Sequence, residues 1–420
     1  METRARHDDG PLSNLADYTW LTGSATARML DECSVDAAPI HLRLQRLRKV
    51  LSPRRAGLVV EQVELRRRGE TKFGPLAAKM FFSEVALQQA TDLWTAAYKA
   101  SRLETRAQVH DYCCGIGGDL LALARRGPVH GWDRSPEVLV LAAANLRADE
   151  STIDSQVTVG HVEAQSPAAG DTWHLDPDRR SSGRRSTKLA WHSPGPEEIE
   201  RLRQVASRGV LKLAPATTIP ENWQQEAELE WISWDRQCRQ LVVWFGALAS
   251  EAGKRRATIV VKTDDPRAAP LTHSIVGEST TRAEVVDRIG EYVYDADSAV
   301  RAAGLTGALA VEQNLKAFGT EAGYLTGATG AQHPLLACFK VLGELPLRVS
   351  SLSKHLRKHG VGRLEIKKRG VDIDPEQLRR QLKLKGDASA ALLLMRQGER
   401  EIAILADRCS NGVTASTSND

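Results

Sequence analysis

A glycine-rich turn between acidic residues is the part of this sequence best suited to holding a ligand. It runs Asp111-Tyr112-Cys113-Cys114-Gly115-Ile116-Gly117-Gly118-Asp119 and joins an apolar run to a leucine-rich stretch. Glycines let the backbone turn sharply and let a ligand approach it at a helix start. Asp133 ends the next apolar run, where a carboxylate can accept hydrogen bonds from both ribose hydroxyls of a nucleoside cofactor. The order of these features predicts a nucleoside site; a tight turn beside a surface aspartate is the alternative interpretation.

The charge of the turn indicates which nucleoside would bind. A dinucleotide places its pyrophosphate at the helix N-terminus, usually over a GxGxxG pattern, but here Gly118 is followed by Asp119. A carboxylate at that point repels an anion and tolerates the cationic sulfonium of S-adenosylmethionine, and Asp111 adds a second negative group. We therefore expect S-adenosylmethionine as the cofactor, with a nicotinamide-dependent oxidoreductase as a less favoured alternative.

A second acidic segment, Asp176-Pro177-Asp178-Arg179-Arg180, follows a later apolar run. At the carboxyl end of a strand, Asp176 would lie beside the cofactor crevice, and Pro177 would stiffen the loop. The hypothesis is that Asp176 and Pro177 form the catalytic loop, with Asp176 orienting or deprotonating the acceptor during in-line methyl transfer. An Asp-Pro strand terminator is the alternative. The basic residues that follow are candidates for binding an anionic substrate, with a solvated, flexible loop as the alternative: Arg179, Arg180, Arg184 and Arg185.

These segments need a fold that brings strand ends together. Between about 105 and 245, short apolar runs alternate with amphipathic stretches, a pattern typical of a parallel sheet covered by helices on both faces. The predicted strands are Ala107–Tyr112, Val129–Trp132, Val157–Gly160, Thr172–Leu175 and Val210–Leu213, with an antiparallel hairpin, Glu228–Trp234 and Gln240–Phe245, at the end. We expect an α/β fold with a doubly wound, Rossmann-like sheet, an N-terminal helical segment and small α+β C-terminal domains.

The motifs Asp111–Asp119, Asp133 and Asp176–Arg180 resemble those of class I S-adenosylmethionine-dependent methyltransferases. More narrowly, the sequence resembles bacterial methyltransferases that carry a THUMP-like C-terminal domain. The segments that carry this resemblance are Lys79–Phe82, Gln88–Thr91, Glu230–Ser233, Glu291–Tyr294, Glu365–Gly370 and Leu382–Lys385. The resemblance implies a catalytic domain, a small ferredoxin-like unit and a THUMP-like domain with affinity for RNA.

The resemblance also assigns roles to single residues. Asp111, Gly115 and Gly117, with Gly118 beside them, would line the amino-acid end of the cofactor, and Asp133 would bind its ribose. Glu163 follows the third strand, where this class often has an acid near the adenine amino group; a solvated loop acid is the equal alternative.

Basic clusters outside the catalytic unit predict contact with nucleic acid. Arg43–Lys72 contains ten Lys or Arg and three Glu, and Lys354–Lys385 contains eleven Lys or Arg and four acids. Clusters of this density fit sequence-independent contact with RNA phosphates, and Lys367, Lys368 and Arg369 are candidates for it. A soluble charged face is the alternative. The histidines near the crevice have no metal-ligand spacing, so we expect no metal.

The 420 residues, with 57 Lys and Arg against 53 Asp and Glu, predict several domains. The expected boundaries are 1–104 for an N-terminal helical region, 105–265 for the methyltransferase domain, 266–332 for a ferredoxin-like unit, 335–408 for a THUMP-like domain and 409–420 for a disordered tail. Six scattered cysteines, no apolar run of membrane-spanning length and no secretory signal predict a cytoplasmic protein with reduced thiols. The expected function is methylation of tRNA or rRNA; a catalytically silent RNA-binding protein is the alternative.

Overall fold

The computed structural model describes residues 11–150, 154–179, 186–265, 268–319 and 323–409. The chain divides into two compact units. The first contains Met1–Glu228, Leu241–Ala252 and Val260–Leu271, and the second contains Leu229–Gln240, Gly253–Ile259 and Thr272–Asp420. No helix in the described ranges is both long and apolar enough to span a membrane.

The first unit begins with helices that share a small apolar core. Their bounds are α1 Pro11–Leu21, α2 Ser24–Val35, α3 Ile40–Leu47, α4 Pro53–Phe73, α5 Glu84–Gln89 and α6 Leu93–Ser101. Helix α4 starts where Ser52 accepts a hydrogen bond from the Arg55 amide and Pro53 occupies the first turn, a favourable N-terminus. Leu21, Leu30 and Val59 are buried together between α1, α2 and α4.

A parallel sheet covered by helices follows. Its strands are β1 Val109–Tyr112, β2 Val129–Asp133, β3 Ser155–Val159, β4 Thr172–Leu175 and β5 Arg208–Leu213, and its helices are α7 Gly118–Arg126, α8 Pro136–Ala148, α9 Pro196–Val205 and α10 Glu221–Glu226. The strand order is β3-β2-β1-β4-β5, all parallel, and β7 Gln237–Phe245 then runs antiparallel to β5. Ligands bind such sheets where the strand order reverses, which here is at the carboxyl ends of β1 and β4.

Close packing joins β4 to β5. The Trp173 side chain is fully buried, and an added methyl group on Gly209 of the neighbouring strand would lie 2.1 Å from its ring. Glycine is therefore required at position 209 so that the indole can lie flat on β5. This packing holds β4, which ends one residue before Asp176, in a fixed position.

The second unit contains most of β6 Glu228–Trp234, β8 Arg255–Val261 and β9 Leu271–Gly277, which are neighbours in that order. It also contains an eight-stranded sheet in the order β10-β12-β13-β11-β14-β17-β16-β15. These strands are β10 Val285–Val286, β11 Tyr292–Ala296, β12 Lys316–Phe318, β13 Tyr324–Gly327, β14 Leu336–Pro346, β15 Val361–Arg369, β16 Ala388–Gln397 and β17 Arg400–Arg408. The helices are α11 Ser298–Ala302, α12 Thr306–Glu312, α13 Val349–Lys358 and α14 Pro375–Leu382.

The eight-stranded sheet curls strongly. On one face, Leu352 and Leu378 from α13 and α14 cover Leu392. On the other face, Asp295 of β11 lies 2.9 Å from Lys367 of β15, although three strands separate β11 from β15 in the sheet order. A flat sheet would place these strands about 19 Å apart at 4.8 Å per strand, so the sheet must bend until its two sides meet.

The expected α/β fold class is confirmed. All five predicted parallel strands are present, with ends shifted by at most two residues. The predicted boundaries of the four domains stay a prediction. The strands of 285–327 and 336–408 share one sheet through the pairing of β11 with β14.

Candidate active site

A cleft of about 350 Å³ opens at the carboxyl ends of the parallel strands of the first unit. Predicted site residues from four separate segments line it: Asp111, Gly115, Gly118, Asp133, Glu163, Asp176, Pro177 and Arg179. Gly117 shapes the turn without appearing among the lining residues. Arg180, Arg184 and Arg185 lie outside the described residues, and Lys367, Lys368 and Arg369 belong to the second unit.

The glycine turn has the backbone conformation that its sequence predicts. Gly115 and Gly117 have φ angles of 57° and 91°, a region that disfavours residues with a Cβ atom. An added methyl group on Gly115 would meet no atom within 4 Å, so the backbone there is open to the cleft. On Gly118 it would lie 2.9 Å from the Thr91 amide nitrogen. Gly115 thus leaves room for a ligand, whereas Gly118 leaves room for Thr91.

Asp133 is held at the end of β2 by two backbone amides. Its Oδ2 accepts a hydrogen bond from Gly115 at 3.0 Å, and its Oδ1 accepts one from Ser135, also at 3.0 Å. A carboxylate offers about four acceptor sites, so both oxygens can still accept hydroxyl protons. The residue therefore joins the glycine turn to the start of α8 and keeps acceptors for a ribose diol.

Asp111 carries an oxygen without a protein partner. Its Oδ1 lies 2.7 Å from Nδ1 of His174, while its Oδ2 is buried and has no hydrogen-bond partner among the described residues. Burial raises the pKa of the Asp111 carboxyl, because the charged form is poorly solvated there. A buried acceptor at the cleft wall fits a cationic ligand group such as the ammonium of an amino acid. Asp111 and Asp133 together therefore fit the amino-acid end and the ribose of S-adenosylmethionine.

Asp119 differs from the sequence expectation. Instead of presenting a free carboxylate, it accepts a hydrogen bond from Thr91 at 2.7 Å and pairs with Lys99 at 2.6 Å. Burial alone would raise the pKa of Asp119, but the ammonium groups of Lys99 and Lys212 outweigh burial and hold it far below its usual range. The charge of Asp119 is thus neutralised locally. Its repulsion of an anionic ligand is weaker than the sequence argument assumed.

Lys212 joins this pair to the candidate catalytic residue. Its Nζ lies 2.5 Å from Oδ2 of Asp176 and 3.7 Å from Oδ2 of Asp119. Burial would lower the pKa of Lys212, but the two carboxylates outweigh it and raise that pKa, so the side chain stays protonated. Asp176 remains 34% exposed on the cleft side.

Sequence reasoning missed Lys99 and Lys212 and gave His174 no role. The signal was present, since Lys212 and His174 interrupt otherwise apolar strands, and a charged or polar residue in a buried strand needs a partner. The partners could not be read from the sequence, because Lys99 belongs to α6 and meets α7 only through tertiary packing.

The loop after Asp176 is held by contacts that Asp178 makes with Ser193 and Arg134. The backbone of Asp178 pairs with Ser193 through two hydrogen bonds of 2.8 and 3.0 Å. Arg134, from the end of β2, approaches the Asp178 carboxylate at 3.6 Å. The Trp191 ring is 53% exposed, with the Lys188 ammonium 5.1 Å from its centre. A basic and aromatic rim therefore borders the candidate catalytic loop.

In both basic clusters, several of the cationic side chains form ion pairs within the protein. In the N-terminal cluster, Arg43 is buried against Glu64, and Arg68 makes two hydrogen bonds to Glu84, so much of the positive charge is neutralised internally. In the C-terminal cluster, Lys367 and Arg369 bind the buried Asp295 together with Arg301, an arrangement we call the Asp295 cluster.

Other cations of the C-terminal cluster face outward. Lys368 is exposed, although its ammonium donates to the Ile373 carbonyl at 2.9 Å. Apart from Arg379, which pairs with Glu376, the exposed cations on and after α13 and α14 form what we call the basic helical face: Lys354, Arg357, Lys358, Arg380, Lys383 and Lys385. These helical cations and Lys368 are thus open to contact with phosphates, whereas Lys367 and Arg369 are paired with Asp295. Across the residues that the structure describes, no group of three or more His, Cys, Asp or Glu is placed to hold a metal ion.

Comparison with known proteins gives three similarities. Residues 336–408 match the THUMP domain-like family. A protein of Mycobacterium tuberculosis strain CDC 1551, named an uncharacterized S-adenosylmethionine-dependent methyltransferase, is 32% identical over 354 residues, which cover 82% of this chain and 94% of the relative. The crystal structure of a Porphyromonas gingivalis W83 protein assigned as a methyltransferase has a TM-score of 0.71 at 19% identity, covering 95% of this chain and 99% of that one. At that identity the structural match concerns the fold.

Proposed function

This chain belongs to the S-adenosylmethionine-dependent methyltransferases, and from that membership we propose that it methylates RNA in the cleft beside Asp176. Membership confirms the family resemblance, the enzyme class and S-adenosylmethionine as the cofactor. It leaves the acceptor to be inferred from this chain's own residues.

In this proposal the glycine turn and the two acids around it hold the cofactor. Gly115 lets the ligand approach the backbone, and Asp133 accepts hydrogen bonds from the ribose hydroxyls. The free Oδ2 of Asp111 accepts a hydrogen bond from the ammonium group, and Glu163, which lines the cleft, accepts one from the adenine amino group. When bound, S-adenosylmethionine supplies an electrophilic methyl group on a sulfonium. The protein contributes binding, orientation and a fixed electrostatic environment.

Asp176 orients the acceptor, and Lys212 positions Asp176. One carboxylate oxygen is held by the Lys212 ammonium at 2.5 Å, which leaves the other for a donor on the acceptor. Lys212 is itself fixed by Asp119, which Thr91 and Lys99 hold from the opposite side. Pro177 removes a backbone donor and restricts the loop. A preorganised acceptor of this kind favours in-line transfer by restricting the geometry of the two reactants.

The main support for RNA as the substrate is the match of residues 336–408 to the THUMP domain-like family. The basic helical face lies within this segment. Its exposed cations suit contact with a phosphate backbone, which supplies sequence-independent affinity. Arg179 lines the cleft and could contact a phosphate near the reacting base. We also propose that the enzyme is cytoplasmic.

Labelled methyl transfer tests the proposal. Purified protein, tritiated S-adenosylmethionine and RNA from cells lacking this protein should give label in tRNA or rRNA. The Asp176→Asn variant should lose about 10²-fold or more of that rate, since loss of acceptor orientation has effects of this size. The matched control is Asp178→Asn on the same loop, which should retain most of the rate. Label found only in protein or in small molecules would reject RNA as the acceptor.

Cofactor binding is tested separately by calorimetry with S-adenosylhomocysteine. Asp133→Ala should weaken binding by about 10- to 100-fold, because hydrogen bonds to a charged group contribute about 1.5–3 kcal/mol. Asp171→Ala serves as the control, since Asp171 pairs with His110 and is not among the residues that line the cleft. Equal affinity in the wild type and Asp133→Ala would remove Asp133 from the cofactor site without affecting the RNA assay.

A further inference from the structure

Two cysteine side chains of the second unit touch each other. The thiol of Cys338, on β14, donates to the sulfur of Cys409 at an Sγ–Sγ distance of 3.3 Å. Both residues are free thiols, and this is the one thiol–thiol contact among the cysteines in the described ranges. The backbone also joins them, since the Cys409 amide donates to the Cys338 carbonyl at 3.0 Å.

Their backbone spacing suits a covalent bond. Phe339 pairs with Arg408 in the antiparallel register of β14 and β17, so Cys338 and Cys409 are the next residues opposite each other. Hydrogen-bonded residues of antiparallel strands have Cα atoms about 5.5 Å apart, within the range that disulfides span. The two sulfurs would have to approach by roughly 1.3 Å to reach the length of an S–S bond, which side-chain rotation can supply.

The two thiols differ in access. Cys338 is 2% exposed, whereas Cys409 is half-buried and can meet a small reagent. Burial raises the pKa of Cys338 to about 12, and its hydrogen bond to Cys409 acts in the same direction. Cys409 is therefore the thiol that a solute would reach first, and Cys338 is the partner waiting beside it.

We propose that Cys338 and Cys409 form a redox-sensitive site that a peroxide converts into an intramolecular disulfide. In the first step, the Cys409 sulfur attacks the peroxide O–O bond and becomes a sulfenic acid, and hydrogen peroxide is reduced to water. In the second, the Cys338 sulfur attacks the sulfenic sulfur, forming the S–S bond and releasing the second water. Two thiols and one hydrogen peroxide thus give one disulfide and two waters.

The position of the bond gives it a structural consequence. The cysteines are 71 residues apart, and they bracket almost the whole of the 336–408 segment. A cross-link that closes a loop of this length restricts the unfolded chain strongly. The oxidised protein should therefore unfold at a temperature several degrees higher than the reduced protein, and dithiothreitol should reverse the shift.

The test is titration of the reduced, full-length protein with hydrogen peroxide, followed by alkylation and peptide mass spectrometry. We expect a cross-linked peptide pair containing Cys338 and Cys409, lighter by two hydrogens than the sum of the reduced peptides, before Cys33 or Cys114 is modified. Cys338→Ser should stop the reaction at a dimedone-reactive sulfenic acid on Cys409, and Cys409→Ser should abolish both products. The proposal would be overturned if both thiols were still fully alkylated while another cysteine was oxidised. It would also be overturned if Cys409 formed disulfides only between molecules. The wild-type peptide result decides it even if a variant does not fold.

Discussion

Charged side chains at the floor of the cleft leave an excess of negative charge that would suit a cationic ligand. Asp111, Asp119 and Asp176 supply three carboxylates, and Lys99 and Lys212 supply two ammonium groups. Nε2 of His174 lies 3.4 Å from the Lys99 ammonium, so it accepts a hydrogen bond while Nδ1 donates to Asp111. One carboxylate then has no counter-ion in the group. A sulfonium or ammonium ligand would supply the missing positive charge, and a pyrophosphate would add to the excess.

The buried Asp119 predicts a specific dependence of stability on pH. Its pKa in the folded protein lies below the unfolded value, so its stabilising contribution is complete above the unfolded pKa of about 4 and is lost as the pH falls further. Asp119→Asn should lower the free energy of unfolding at pH 7 by about 3 kcal/mol, because it leaves Lys99 without its nearest charge partner. Urea denaturation should show the difference from wild type shrinking below pH 4. A constant difference between pH 7 and pH 3 would contradict this account.

Lys212 should affect turnover more than cofactor binding. Lys212→Met keeps much of the side-chain volume but releases Asp176, so we expect kcat for RNA methylation to fall by about 10²-fold, since small misplacements at a reacting centre have effects of this size. The dissociation constant for S-adenosylhomocysteine should change by about twofold or less. Lys212→Arg should recover part of kcat because it restores the positive charge. Equal losses in the Met and Arg variants would point to a packing role instead.

At the scale of secondary structure elements, residues in several of the family motifs make contacts between elements that are distant in sequence. Thr91, the last residue of Gln88–Thr91, donates to Asp119 of α7. Glu230, the first residue of Glu230–Ser233, is buried and accepts from Thr258 on β8 at 2.5 Å. Glu291–Tyr294 leads into the strand that carries Asp295. These motif residues therefore help to hold neighbouring elements together.

The Asp295 cluster should be a major support of the curled sheet. Asp295→Ala removes the carboxylate shared by Arg301, Lys367 and Arg369 and leaves three partly buried cations together. We expect a loss of about 3–5 kcal/mol in the free energy of unfolding of the second unit, the cost of breaking buried pairs from one side. Glu284→Ala is the control, since its pair with Lys316 is exposed and should contribute less than about 1 kcal/mol. Chemical denaturation of both variants measures the two losses in the free energy of unfolding. If the loss in Asp295→Ala were as small as that expected for Glu284→Ala, the cluster would be dispensable for stability.

At the scale of the whole molecule, RNA affinity should come mainly from the basic helical face and should depend on salt. Each phosphate contact steepens the fall of log K with log salt by a slope of about 0.7–0.9. The double variant Arg357→Ala, Lys358→Ala should weaken RNA binding. It should also reduce the slope by the amount that corresponds to about one to two phosphate contacts. Filter binding at several potassium concentrations would measure it.

The matched control is Arg48→Ala with Lys49→Ala, an adjacent Arg-Lys pair that is equally exposed but lies in the N-terminal cluster. We expect it to leave both affinity and slope close to wild type, because Arg48 and Lys49 lie outside the segment 336–408 that matches the THUMP domain-like family. If the control lowered the slope as much as the test variant, general surface charge would account for RNA binding. An affinity insensitive to salt would exclude phosphate contact altogether.

The sequence by itself determined the order of elements and the positions of the site acids. Apolar runs of four to six residues alternating with amphipathic stretches can bury their backbones only as a covered parallel sheet. That topology places Asp111, Asp133 and Asp176 at one edge, as the structure shows. The left-handed turn at Gly115 and Gly117 could also be predicted from the sequence, because it depends only on the local steric freedom of glycine.

Only the tertiary structure decided which charges are free. Whether Asp119, Lys367 or Arg369 faces a ligand depends on partners that are distant in sequence: Asp119 meets Lys99 on another helix, and Lys367 meets Asp295 across a curled sheet. A charge pattern records composition and spacing, whereas pairing depends on how elements pack. The same limit applies to Cys338 and Cys409, which a register of two strands brings into contact from 71 residues apart.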